Sequence, residues 1–111
     1  MYLPKKDIMN LLKPLGYGVS QTQPKKFNEL PYINFEVTGN SVDLFLDNTI
    51  STQSIEVKID IWADTSVEAS RILSEVEEVM RSDLYQMTFS ADIPNTGNIF
   101  HISTRFNKLA G

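Results

Sequence analysis

The chain has no cysteine, one histidine and only five glycines in 111 residues, and each scarcity removes a class of chemistry. Without cysteine there is no disulfide, no thiol nucleophile and no thiolate metal centre, which fits synthesis in a reducing cytosol. The lone imidazole, His101, lacks the convergent partners of an acid–base site and reads as an ordinary exposed or half-buried side chain. Glycines 16, 18, 39, 97 and 111 are too scattered to cradle a phosphate. No apolar run approaches the roughly 18 residues that span a bilayer. The opening Met1-Tyr2-Leu3-Pro4-Lys5-Lys6-Asp7 turns amphipathic too early for a secretory signal. Carboxylate pairs such as Glu56 with Asp60, or Asp43 with Asp47, lack the glycine-turned oxygen loop of a calcium site and the cleft of a hydrolase. No catalytic, metal-ligating or cofactor-binding residue is assigned, and no enzymatic activity is expected.

What is present is the material of one folded domain. Apolar residues make up 41% of the chain, with six Phe and four Tyr, enough to exclude a disordered segment. The net charge of −4 is unevenly spread: residues 36–83 hold eleven carboxylates against Lys58, Arg71 and Arg81, while residues 1–35 hold five lysines against Asp7 and Glu29. An acidic centre argues against a basic groove that grips nucleic acid.

Residues 54–63 alternate. Ile55, Val57, Ile59, Ile61 and Ala63 share one face and Glu56, Lys58, Asp60 and Trp62 the other, which predicts a half-buried strand. At Asp64 the period becomes helical: Ala69, Ile72, Leu73, Val76, Val79 and Met80 form one stripe, and Thr65 with Glu68 is a capping-box pair. Glu68, Arg71, Glu75, Glu77, Glu78 and Arg81 fill the solvated remainder, with Glu77 and Arg81 spaced to pair. Upstream, Ile8, Leu11, Leu12 and Leu15 predict a short helix that carries Pro14 in its last turn and stops at Gly16. Residues 17–21 form a brief strand and 22–26 a polar loop. Ile33, Phe35 and Val37 mark a second strand. Residues 85–93 place Tyr85, Met87, Phe89, Ala91 and Ile93 on one side, and residues 99–106 do the same for Phe100, Ile102, Thr104 and Phe106. The turn chemistry of residues 94–98 joins these two as an antiparallel hairpin. The expected architecture is α+β, an antiparallel or mixed sheet packed against two helices in a single domain over residues 1–111.

The connection over residues 39–54 is too long for a tight hairpin. Either Val42 to Leu46 makes a short extra strand or packs back on the core, or the segment is an extended β-arm or loop. Leu44-Phe45-Leu46, with Asp43 and Asp47 on either side, is a costly apolar exposure in a monomer and a useful contact in an oligomer. Val42, Leu44, Phe45 and Leu46 are therefore candidate subunit-interface residues. Trp62, on the polar strand face, is either covered by this chain or offered to a partner, and it joins them as a candidate.

Leu30-Pro31-Tyr32-Ile33-Asn34-Phe35-Glu36, Asp47-Asn48, Glu56-Val57-Lys58-Ile59-Asp60-Ile61-Trp62-Ala63 and the helix of residues 66–81 together resemble the tail terminator or tail-to-head joining family of long-tailed phages and prophages. The resemblance spans residues 5–109 and contains no catalytic motif. It implies a ring, a hexamer, on the end of a tail tube, ending tube polymerisation and docking to the head connector. The implied partners are further copies of the chain, the tail tube protein and head connector or completion proteins. DNA would pass without sequence-specific binding, and no membrane is involved. The implied location is the virion head–tail junction, after assembly in the bacterial cytoplasm. In such a ring Glu56, Asp60 and the acidic helix face are candidates, by charge alone, for a lumen that repels phosphate. Minor head-tail connector and tail tube proteins are neighbouring alternatives. A small α+β ligand-binding domain or enzyme, with a cleft between sheet and N-terminal helix, is the alternative of another class.

Overall fold

In the computed structural model, which describes residues 3–21, 30–44, 50–94 and 97–110, two helices cover one face of a five-stranded sheet. Helix α1 (Lys5–Leu12) buries Ile8 and Leu12 completely. It hands over to a single 3-10 turn, Lys13–Leu15, which accommodates Pro14 at its start, where a missing N–H is harmless. Gly16 then reverses the chain at φ 90°. Strand β1 (Gly18–Ser20) pairs parallel to β2 (Tyr32–Leu44), and every other pairing is antiparallel, among β3 (Ile50–Ala63), β4 (Gln86–Ile93) and β5 (Phe100–Ala110). The strand order is β1-β2-β3-β5-β4 and the parallel β1–β2 pair makes the sheet mixed, one of the two arrangements expected for this α+β domain. Gly18 is needed where it stands, because a Cβ there would lie 2.6 Å from the Tyr32 ring.

The core lies between sheet and helices. Ile33 and Phe35 from β2, the odd-numbered residues Ile55 to Ile61 from β3, and Ile102 and Phe106 from β5 meet Ala69, Ile72, Val76 and Met80 of helix α2 (Ser66–Ser82). The start of α2 is capped as its sequence predicts, the Glu68 amide donating to Thr65 Oγ1 at 3.1 Å. The Glu68 carboxylate lies 3.8 Å from Arg71, and Arg81 stands 3.7 Å from Glu77. The end of α2 is a Schellman motif: the Tyr85 amide donates to the Met80 carbonyl and the Leu84 amide to that of Arg81, while buried Tyr85 and Met80 close the apolar side.

The left-handed residue of that motif is Leu84, at φ 70° and 74% exposed, where glycine is the usual occupant. A side chain there costs roughly 1–2 kcal/mol, against the roughly 0.5–1 kcal/mol of unfolded-state entropy that glycine adds. Leu84→Gly is therefore expected to stabilise the fold by about 0.5–1 kcal/mol, measured by urea unfolding.

A second tie joins the α1–β1 connection to α2: the Tyr17 hydroxyl donates to Glu75 Oε2 at 2.6 Å. That hydrogen bond first, then partial burial and the Glu75 charge, raises the phenol above its usual value of 10.0. The folded state holds this proton more tightly than the unfolded chain does. The stabilisation is therefore complete below about pH 10 and disappears as pH rises through the folded value. Urea unfolding between about pH 8 and about pH 11 should show a stability decline that is shallower in Tyr17→Phe. Equal slopes would remove this role from the tie.

Strand β4 departs from its sequence pattern. Met87 faces Phe106 in the core, but a bulge at Thr88 shifts the register, so that Phe89 lies opposite Arg105 and Ile93 opposite His101. One inserted residue turns the rest of the strand over. Phe89 and Ile93, expected on the side of Tyr85 and Met87, lie on the sheet face away from the helices, 49% and 38% exposed. The bulge is held by Thr104, whose fully buried hydroxyl donates to the Phe89 carbonyl at 2.8 Å.

Candidate functional site

The connection expected over residues 39–54 is mostly strand. β2 continues past a bulge between Val37 and Gly39 and pairs through Asn40 with Ile55, Ser41 with Ser54, Val42 with Gln53, Asp43 with Thr52 and Leu44 with Ile50. The result is an extended arm, three-stranded with β5 as far as Val42 and Gln53 and two-stranded past them, rather than a separate short strand or a segment folded back. The six residues from Gly39 to Leu44 reach roughly 20 Å. The chain measures 54 × 25 × 23 Å, and its radius of gyration is 15.2 Å, against about 13 Å for a compact chain of this length.

At its base the arm is pinned by Gln53, buried to 3% exposure, whose Nε2 donates to Asn40 Oδ1 at 2.6 Å. Among the described residues β5 follows β3 as far as the pair Gln53 with Ala110. Val42, level with that last pair, is 38% exposed, and Leu44, past it, is 54% exposed. Two of the candidate interface residues thus face solvent, Leu44 on the two-stranded end of the arm and Val42 at its root. The other two, Phe45 and Leu46, lie outside the described residues.

Trp62 and Asp60 are corrections. Trp62 is covered by this chain, at 5% exposure. Its ring stacks on His101 at 3.7 Å between centroids, and its Nε1 donates to Asn34 Oδ1 at 2.6 Å. Asn34 donates in turn to Asp60 Oδ2 at 3.2 Å, and Asp60 Oδ1 lies 2.8 Å from His101 Nε2. The four side chains close a circuit over three adjacent strands, joined by Lys58 at 3.8 Å from Asp60. Asp60, 6% exposed, is an internal acceptor and not a lumen lining, and Trp62 is not an interface anchor. His101 is half-buried, one of the two states expected of it, and its ring meets both Asp60 and Trp62.

Glu56 remains at the surface with 40% of its side chain exposed, but its Oε1 is engaged by Arg105 Nη1 at 3.1 Å and the Thr38 hydroxyl at 2.8 Å. Lys58 and Arg105 lie opposite each other on the same face as Glu36, Glu56 and Asp60, so most of the acidic charge of this face is offset. The outward side of α2 keeps the acidic excess, with Glu68, Glu75, Glu77 and Glu78 against Arg71 and Arg81.

Among the described residues no cluster of His, Asp and Glu is disposed to hold a metal ion, and no helix is long and apolar enough to cross a membrane. The arrangement defines an α+β domain with a projecting β-arm. No protein-family model matches the chain, and no curated protein matches it.

Proposed function

We propose that this chain is a structural morphogenesis protein of a long-tailed phage or prophage, forming a hexameric ring that ends the tail tube and joins it to the head connector. One observation carries the reading: the β2–β3 pair runs on past the β5 pairing, with Leu44 exposed on that end and Val42 exposed at its root. An ordered apolar projection has little use in a monomer and is suited to a neighbouring subunit. A ring closes when one patch meets a different patch on the next copy, and an arm supplies the first patch without disturbing the core. With Asp60 internal and Glu56 paired, the outward side of α2 is the better candidate for a lumen that lets DNA slide.

The test is electron microscopy of particles made after the gene is deleted from its parent phage or prophage. The expected result is DNA-filled heads beside detached tails of irregular length. Intact particles of normal tail length would overturn the proposal and favour a ligand-binding domain.

A further inference from the structure

We infer that the arm tip of one copy docks in the cleft between the N-terminus of α1 and the edge of β2 on the next copy. This rests on the ring reading and names its second patch. Among the described residues β1 covers β2 from Tyr32 to Asn34 only. Past that point Leu3, Pro4, Lys5 and Lys6 on one side and Val37 and Asn40 on the other enclose a cleft of about 510 Å³. Leu3 is 69% exposed at its mouth. Lys5 and Lys6 are exposed, and among the described residues they enter no ion pair.

The occupant follows from chemistry. Residues 43–47 read Asp-Leu-Phe-Leu-Asp, an apolar triplet with a carboxylate at each end, and the cleft joins the apolar Leu3, Pro4 and Val37 to two neighbouring ammonium groups, Lys5 and Lys6. Such pairing sets register and excludes wrong partners. Other clefts fit this segment worse. The groove beside Leu84 and Leu109 has neutral polar walls, and its cation, Lys108, already holds Asp83 at 3.1 Å. The cleft at the start of α2 contains Asp92, which repels an acidic tip.

The absence of cysteine makes the test direct. Leu3→Cys and Leu44→Cys variants are mixed and treated with a short bismaleimide, with Val67→Cys, 79% exposed on α2, replacing Leu44→Cys as control. Docking raises the local concentration of the paired thiols, so the mixed dimer should exceed the control by about tenfold or more. Adding K5E and K6E to the Leu3→Cys partner should bring it down to the control. A yield equal to the control, while native mass spectrometry finds the wild type in closed rings, overturns this docking and leaves the ring standing. A specific cross-link that K5E/K6E abolishes, in a chain forming only open oligomers, upholds the docking and overturns the ring.

Discussion

Asp60→Ala is expected to lower stability by about 2–3 kcal/mol, roughly a 10 °C drop in Tm for a chain of this size. The reason is what remains behind. Asp60 accepts from the Asn34 amide and meets the His101 ring at 2.8 Å, with Lys58 beside it. Truncation strands these groups at a site only 6% exposed, and stranded buried polar groups incur their full desolvation cost. Asp60→Asn should cost less, because it keeps an acceptor oxygen. Trp62, the only tryptophan, stacks on His101 within the same circuit, so its emission reports the loss during urea unfolding. A solvated carboxylate would change stability by no more than about 0.5 kcal/mol, and that result would contradict the internal role.

Leu44→Asp should behave in the opposite way. Leu44 is 54% exposed at the end of β2, so the isolated fold should lose no more than about 0.5 kcal/mol. Assembly should be lost, because an interface closing over that position would bury an unpaired carboxylate, which costs several kcal/mol. Unchanged urea unfolding together with a monomeric mass is the expected pair of results. A variant that is both folded and assembled would remove Leu44 from the interface.

Much of the fold was legible because its signals are local. The alternation of β3, the stripe of α2 and the Thr65–Glu68 cap each lie within one stretch of chain, and each is as expected. Features that depend on register were not legible. Gly39, Asn40 and Ser41 are poor strand formers, and the bulge before Gly39 brings Val42 onto the face of Val37 although simple alternation would oppose them, so one long strand read as a strand followed by a connection. The Thr88 bulge hid the reversal of Phe89 and Ile93 in the same way. The circuit of Asn34, Asp60, Trp62 and His101 spans three strands and up to 67 positions. Its signal lay in polar residues at matching places in β2, β3 and β5, visible only once the three strands are aligned.

The central claim is that the arm closes a ring. Native mass spectrometry of the purified wild-type chain, alone and with purified tail tubes, tests it most directly. The account predicts one closed hexameric species in the wild type and monomer alone in Leu44→Asp. A wild type that stays monomeric under both conditions would contradict it.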